Sequence, residues 1–274
     1  MDKQKTAFSS VMEFVIILIQ AALFALLIRT FLFQPFVIPS GSMRPTLLVG
    51  DYIFTSKFSY GYSRYSFPYG LELFSGRILG REPKRGDIIV FQHEDSYTGE
   101  SKDYIKRLIG LPGDRIQMKS GTLYINGKAV KREKVGLLNN PDITGVYGDV
   151  EVYRETLPNN VSYETLSLDK NGLGNNTQEF LVPEGHYFMM GDNRDDSEDS
   201  RFSLGYVSAE KLIGKAQIIF FSISNNSKIY QIWRLPHDVR WSRIFSFITK
   251  EHPVRGVVPE RNAALSNDFV DNPI

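Results

Sequence analysis

The sequence predicts a mainly β protein: an antiparallel β-sheet domain with an inserted smaller β-rich region, preceded by one N-terminal transmembrane helix. The helix is predicted by an apolar run at residues 11–28, which only Glu13 and Gln20 interrupt. After Pro39 the chain changes to short apolar runs separated by turn residues, which is typical of strands. Long helical periodicity is scarce beyond that point, so we expect mainly antiparallel β structure there.

Composition excludes several classes of protein and site. The 274 residues include 32 basic and 31 acidic side chains, so the chain lacks the basic excess typical of nucleic-acid-binding proteins and we expect no nucleic-acid partner. A hydrophobic content of 42% excludes a mostly disordered chain. The absence of cysteine excludes disulfides, thiolate metal sites and cysteine nucleophiles. None of the four histidines lies in a setting that suggests catalysis.

The apolar run at residues 11–28 has three interpretations. As a helix it would span about 27 Å, close to the thickness of a bilayer core. A cleaved signal peptide fits less well, because the small residues at 21–25 lie inside the run rather than after it. A buried core helix would have to be apolar on all sides. We therefore predict a short cytoplasmic N-terminus at 1–10 and a membrane anchor at 11–33, with the rest translocated, although the charge bias is weak.

The remainder divides into a core, an insertion and a tail. We assign residues 34–130 and 183–224 to the β core and residues 131–182, which are polar, to an insertion of unknown role. The predicted strands are residues 51–58, 87–92, 103–110, 114–119, 122–127, 186–192 and 211–223.

The tail, residues 225–274, is rich in aromatic and basic side chains. It is consistent either with a surface helix packed on the domain or with a segment that touches the membrane surface. The residues in question are Trp233, Arg234, Arg240, Trp241, Arg243, Phe245 and Phe247.

Three polar segments are candidates for chemistry. Residues 38–47 contain Ser40 and Ser42, in a pattern that differs from the G-x-S-x-G elbow of many serine hydrolases. In the strand 103–110, Lys106 and Arg107 point to opposite faces, so either one is buried or both are solvated edge charges. A buried Lys106 would have a lowered pKa and would be suited to act as a general base. Residues 190–201 are dense in acids and arginines, without calcium-loop spacing.

Together, these segments closely resemble bacterial signal peptidase I, the membrane-bound Ser/Lys leader peptidases of peptidase family S26. The resemblance extends over residues 35–61, 85–119 and 189–216. It is carried by PSGSMRPTL at 39–47, GDYIFTSKFSYG at 50–61, RGDIIVF at 85–91, DYIKRLIGLPGD at 103–114 and GDNRDDSEDSR at 191–201.

The resemblance implies a role for each matched residue. Ser42 would be the nucleophile, Lys106 the neutral general base, and Ser40 a donor to the oxyanion. Ser197 would orient Lys106, with Gly191, Asp199 and Arg201 supporting that loop. The residues that would shape shallow pockets for small substrate side chains are Phe36, Ile38, Met43, Tyr104 and Ile105.

The family also implies a setting for this chemistry. The enzyme would be a serine endopeptidase that cleaves signal peptides from exported precursors at Ala-x-Ala-type sites, without cofactor or metal. It would lie in the bacterial inner membrane as a single-pass protein, with the catalytic domain on the extracytoplasmic side and the lipid bilayer as a partner. The substrate would bind as an extended strand beside residues 36–38 and 103–105.

Other classes explain less of the sequence. A membrane-tethered binding module would account for the anchor and the β domain but not for Ser42, Lys106 and Ser197. A self-cleaving regulatory protease would share Ser-Lys chemistry but is expected to be soluble. A metal hydrolase is a third possibility, and sensitivity to chelators would identify it.

Overall fold

The computed structural model describes residues 2–67, 74–94, 99–169, 171–224, 235–248 and 256–259. Within these ranges the α-helices are α1 (Asp2–Phe31), α2 (Pro141–Thr144) and α3 (Leu235–Asp238). Short 3-10 helices lie at Lys57–Ser59, Arg64–Ser66, Leu173–Asn175, Ala209–Lys211 and Trp241–Arg243.

The strands lie within the same ranges. In chain order they are β1 (Phe33–Val37), β2 (Asp51–Ser56), β3 (Ile88–Glu94), β4 (Ser101–Gly110), β5 (Arg115–Lys119), β6 (Thr122–Ile125), β7 (Lys128–Ala129), β8 (Lys131–Leu138), β9 (Val150–Thr156), β10 (Ser162–Ser167), β11 (Phe180–Leu181), β12 (His186–Met190), β13 (Val207–Ser208), β14 (Leu212–Ser222) and β15 (Ser246–Phe247). Each of the seven predicted strands is present, with ends that differ from the prediction by at most two residues.

Helix α1 stands apart from the β structure. Its segment Ser10–Phe31 has a mean hydropathy of 2.6, and its side chains are exposed except near the C-terminal end, where Ile28 is half-buried and Thr30 is buried. An exposed helix of this length and composition is suited to cross a bilayer, which would cover its apolar side chains. It is the one such helix among the described residues. The predicted apolar anchor helix is therefore confirmed, although the helix ends at Phe31 and Phe33 already begins strand β1.

Within the described residues, the strands form three antiparallel sheets. The largest has the order β1-β2-β14-β3-β4-β12-β13, and β15 adds to β14. A four-stranded sheet has the order β11-β5-β6-β7, and a three-stranded sheet has the order β10-β9-β8. The predicted fold class, an antiparallel β domain behind one apolar helix, is confirmed.

The main core lies under the strands that lead to the site. Ile38, Met43, Leu47, Ile53 and Ile105 pack in one buried cluster. Met43 and Leu47 are completely buried, so they fix the loop between β1 and β2 on the sheet. Burying such side chains contributes roughly 1.5–3 kcal/mol each, enough to hold a polar loop in one position.

The segment at 131–182 forms most of the three-stranded sheet. Its strands mix charged and apolar side chains, and Leu138, Val150, Val152 and Leu166 make a small core of their own. Some of its charged side chains are nevertheless buried, and Glu155 is completely so. Such burial requires a charged partner, which the site supplies.

The described part of the tail, residues 235–248 and 256–259, packs on the domain through its arginines. Arg240 forms a bidentate ion pair with Asp142, and Arg243 forms one with Asp51, so both arginines pack on the domain. The chain here forms a short strand, β15, rather than a long surface helix. The exposed aromatic side chains are Trp241, Phe245 and Phe247. Trp233 and Arg234 lie outside the described residues.

Candidate active site

Ser42 and Lys106 meet at the centre of the site. Lys106 Nζ and Ser42 Oγ are hydrogen-bonded at 2.5 Å, although the residues are 64 positions apart in the chain. Ser42 lies in the loop that Met43 and Leu47 anchor, and Lys106 lies on β4 opposite Ile89. Both are buried, with exposed fractions of 6% and 3%. The alternation of side chains along β4 places Lys106 toward Ser42, which is the geometry that a general base for this hydroxyl would need.

Burial changes the protonation of Lys106. Desolvation lowers its pKa from 10.5 to about 8, against the opposing attraction of Asp199 and Asp192. At pH 7 a lysine with this pKa is neutral in about a tenth of molecules, about 300-fold more than an ordinary lysine. A neutral amine in contact with a hydroxyl is able to accept its proton.

Arg107, the neighbour of Lys106, is also buried, so a pair of solvated edge charges is excluded. Its Nε and Nη2 atoms each donate to Asp192, both at 2.7 Å. Thr46 Oγ1 donates to the same carboxylate at 2.5 Å. Asp192 therefore ties β4 to the loop that carries Ser42.

Residues 191–201, which we call the catalytic loop, also contact the nucleophile loop directly. The Asn193 backbone amide donates to Ser42 O at 3.1 Å, and Asn193 Nδ2 donates to Gly41 O at 3.3 Å. Any shift of the catalytic loop is therefore transmitted to the backbone of Ser42.

Gly191 lies where the catalytic loop passes closest to Ser42. A Cβ atom at this position would overlap the Ser197 side chain and lie 2.5 Å from Ser42 O. Such contacts are too close for any side chain, so the position requires glycine. The Gly191 amide donates to Asp199 Oδ2 at 3.0 Å, which fixes this backbone.

Asp199 and Arg201 form the predicted ion pair. Arg201 Nε and Nη2 donate to the two carboxylate oxygens, both at 2.9 Å, and both side chains are fully buried. Burial opposes the charge on Asp199, but Arg201 and the hydrogen bonds it receives hold its pKa below the usual range. Arg201 Nη2 also donates to Arg194 O at 2.6 Å, so the pair supports the loop backbone.

Ser197 and Ser40 differ in their surroundings. Ser197 is buried and makes no hydrogen bond to Lys106 within the described ranges. Its predicted orienting role stays a prediction. Ser40 is exposed, two residues before Ser42, where its hydroxyl is open to an incoming substrate.

The predicted pocket residues lie beside this centre. Ile38, Met43 and Ile105 are buried in the main core, and the half-buried Phe36 packs against them. Tyr104 is also half-buried, and Lys106 Nζ lies 5.8 Å from the centre of its ring. The half-buried aromatic side chains of Phe36 and Tyr104 are thus accessible to a ligand, and the buried apolar side chains lie beneath them.

Two strand edges are open next to the pocket residues. Among the described residues, β1 pairs only with β2. Strand β12 pairs with β4 only from Arg107 onward, which leaves the edge at 101–106 uncovered on that side. Open edges of this kind accept an extended peptide as an added strand.

The sequence analysis missed several residues that build the site. No role was assigned to Thr46, Asp192 or Arg194. The same holds for Glu155, whose carboxylate forms a buried ion pair with the Arg194 guanidinium. The density of acids and arginines at 190–201 was the one available signal, because their partners lie far away in the chain.

Comparison with known proteins identifies the family. The family described as signal peptidase, peptidase S26, matches residues 11–221. The signal peptidase I of Rickettsia akari (strain Hartford) is 47% identical over 210 residues, which cover 74% of this chain and 76% of the relative. That of Rickettsia typhi (strain ATCC VR-144 / Wilmington) is 48% identical over 206 residues, covering 72% and 75%.

A solved signal peptidase I from Enterococcus faecalis V583 is 31% identical to the chain. It covers 49% of this chain and 97% of its own, with a TM-score of 0.29. The family match and the relatives, rather than this superposition, carry the assignment. The chain therefore belongs to the signal peptidase family of S26 peptidases.

Proposed function

We propose that this protein is a serine endopeptidase that removes signal peptides from exported precursors, with Ser42 as nucleophile and Lys106 as general base. Family membership supports the cleavage of signal peptides. The observation that carries the Ser-Lys assignment is the 2.5 Å contact between Lys106 Nζ and Ser42 Oγ in a buried site.

The reaction follows from this geometry. Neutral Lys106 takes the proton of Ser42 as Oγ attacks the scissile carbonyl carbon, and the carbonyl oxygen becomes an oxyanion. The Ser40 hydroxyl and the Ser42 backbone amide donate hydrogen bonds to that oxygen. The lysine proton passes to the leaving amine, the C–N bond breaks, and the mature protein leaves. Water then loses a proton to Lys106 and attacks the carbonyl carbon of the acyl-enzyme. As the ester bond breaks, Lys106 returns this proton to Ser42 Oγ, and the signal peptide leaves with a free carboxyl group.

The substrate binds as an extended strand between the open edges near residues 36–38 and 103–105. Phe36 and Tyr104 border this position, with Ile38, Met43 and Ile105 beneath. Since the floor is formed by completely or nearly buried side chains, the space favours small residues at the −1 and −3 positions of the substrate. This supports a preference for Ala-x-Ala-type sites.

The anchor sets the height of the site above the membrane. Helix α1 ends at Phe31, and the five residues of β1 rise about 17 Å toward the loop of Ser42. Phe31, Phe33 and Phe36 line this connection, and Phe31 and Phe33 remain about two-fifths exposed. We place these rings at the lipid interface of the bacterial inner membrane, with the N-terminus cytoplasmic and the catalytic domain on the other side.

The catalytic assignment is tested on the full-length protein in lipid vesicles. A precursor with an Ala-x-Ala site is incubated with the wild type, Ser42→Ala and Lys106→Ala, and the mature product is quantified. We expect cleavage by the wild type alone, and near-normal turnover in either variant would overturn the proposal.

The orientation is tested by adding a protease to sealed inverted membrane vesicles. The proposed orientation places the catalytic domain inside these vesicles, so we expect it to be protected from the protease.

A further inference from the structure

A buried ion pair links the β9–β10 hairpin to the catalytic loop. Arg194 Nη1 and Nη2 donate to the two oxygens of Glu155 at 2.6 and 2.5 Å. The hydroxyl of Tyr163, on β10, donates to Glu155 Oε2 at 3.0 Å. The exposed fraction of Glu155 is 0% and that of Arg194 is 5%. Removal of either side chain would therefore leave the other as an uncompensated buried charge.

Arg194 carries this contact to the centre of the site. Its Nε donates to the carbonyl of Gly191 at 3.1 Å. Gly191 is the residue wedged between the Ser197 side chain and the Ser42 carbonyl. A displacement of Arg194 therefore releases the backbone that packs on the nucleophile.

The backbone of β10 holds the same loop. Leu166 N donates to Asp192 O at 3.1 Å, and Arg194 N donates to Leu166 O at 3.3 Å. The amide of Leu168 donates to Asp195 Oδ2 at 2.7 Å. These bonds make residues 192–195 an extension of the hairpin.

Tyr163 forms a second connection. The Arg107 guanidinium lies over the Tyr163 ring, 4.0 Å from its centre. Arg107 adjoins Lys106 on β4 and binds Asp192. The hairpin thus contacts both the strand that carries the lysine and the loop that faces it.

We infer that the β9–β10 hairpin is a positioning element for the Ser42–Lys106 pair, and that Glu155 is the positioning residue through which it acts on Arg194 and Gly191. This inference rests on the proposed function. It gives the segment at 131–182 a role in the reaction: the sheet supplies the buried carboxylate that keeps the catalytic loop against Ser42.

The loop also supplies the charges around Lys106. The acidic groups that act on the amine are Asp192, Asp196, Glu198 and Asp199, all within the catalytic loop. Tyr104 faces it from β4, and Ser42 from the nucleophile loop. A loosened loop admits water, and because burial is the largest influence on the amine, the pKa of Lys106 then rises toward its ordinary value.

The test is Glu155→Gln in the full-length enzyme in lipid vesicles. We expect kcat to fall about 10- to 100-fold, KM to change less than threefold, and the acidic limb of the pH profile of kcat/KM to move to higher pH. Glu164→Gln is the matched control, since Glu164 is a buried carboxylate on the same hairpin whose ion-pair partner, Arg154 at 2.9 Å, lies on β9 rather than in the catalytic loop. We expect the kcat of Glu164→Gln to stay within twofold of the wild-type value and its pH profile to be unshifted.

A second variant separates positioning from folding. Glu155→Gln leaves Arg194 with a buried charge and is expected to lower the Tm. Glu155→Met combined with Arg194→Met removes both charges, so we expect the Tm to recover while kcat stays low, because Gly191 O has lost its donor. Recovery of kcat together with the Tm would overturn the inference, as would wild-type kcat and pH profile in Glu155→Gln.

Ser42→Ala in the same assay keeps the two proposals distinguishable. Residual cleavage by Ser42→Ala contradicts the proposed function itself. Inactive Ser42→Ala together with unaltered Glu155→Gln contradicts only the role of the hairpin.

Discussion

Two lysines in this protein are equally buried but have different surroundings. Lys57, at the end of β2, is 2% exposed, and Lys106 on β4 is 3% exposed. Burial is the largest cause of the lowered pKa of both amines, and each reaches about 8. By pKa alone, either lysine would be a candidate general base.

Their contacts separate them. Lys57 Nζ donates to the backbone carbonyl of Ser66, which has no proton to give. Lys106 Nζ meets the hydroxyl of Ser42, which does. A lowered pKa therefore marks a buried amine, and only Lys106 has an adjacent hydroxyl on which the proposed mechanism would let it act as a base.

Replacing each lysine by methionine tests this comparison, and we expect it to give the largest difference in cleavage activity. Lys106→Met is expected to lower kcat/KM for precursor cleavage by at least about 10³-fold, because no group remains to take the Ser42 proton. Lys57→Met is expected to stay within about threefold of the wild type. The measurement is single-turnover cleavage in vesicles.

Both variants need a check of folding by thermal melt. A loss of activity in folded Lys57→Met equal to that in Lys106→Met would break the comparison, since the surroundings of the amine would then not decide its role.

Two glycines, one beside Ser42 and one beside Lys57, extend the comparison to the backbone around each site. Gly191→Ala pushes a methyl group into Ser197 and the Ser42 carbonyl, and we expect kcat to fall about 10- to 100-fold. Gly214→Ala is the matched control, because its methyl group would meet the backbone of Ser56, beside Lys57. Both substitutions are expected to lower the Tm.

Activity is therefore expressed per folded molecule, from the melting curve at the assay temperature. On that scale Gly214→Ala is expected to remain within threefold of the wild type. Equal losses in the two variants would mean that crowding at any glycine, rather than contact with Ser42, reduces turnover.

The sequence predicted the parts of this molecule that local pattern determines. The apolar helix and the strands around residues 88–94 and 101–110 were found because apolar runs and turn residues mark them. Ser42 and Lys106 were found by resemblance to a family, since 64 positions separate them and no local pattern joins them.

The remaining structure depends on distant partners. Strands β8 to β10 contain many charged and polar side chains, so the sequence indicated only a polar insertion. The ion pair that allows Glu155 to be buried joins it to Arg194, 39 positions later in the chain. Strand β1 was not among the predicted strands, and its first residue, Phe33, was placed in the anchor, since its sequence FQPFV continues the apolar composition and only pairing with β2 makes it a strand. Likewise, no sequence pattern predicts that Lys57 and Lys106 are equally buried.

The smallest effect concerns stability. Keeping the protonated Lys106 buried at neutral pH is unfavourable, so Lys106→Met is expected to raise the free energy of unfolding at pH 7 by up to about 3 kcal/mol, from a pKa lowered from 10.5 to about 8. The measurement is urea unfolding of the vesicle-free, detergent-solubilised protein.

The sign of the pH dependence follows from the same pKa. Between about 8 and 10.5 the unfolded chain binds the Lys106 proton and the folded chain does not, so wild-type stability rises with pH across this window. The advantage of Lys106→Met is therefore greatest below pH 8 and disappears above pH 10.5. Lys57→Met is expected to gain less, since it loses the hydrogen bond to Ser66 O. A gain for Lys106→Met that does not change with pH would contradict this explanation.

The pH dependence of kcat/KM in Lys57→Met tests the central claim most directly, because it removes the other amine with a pKa near 8. If neutral Lys106 activates Ser42, cleavage by this variant rises with pH through a midpoint near 8, as in the wild type. A midpoint that moves by a full unit or disappears would assign the titrating group to Lys57 and contradict the Ser42–Lys106 mechanism.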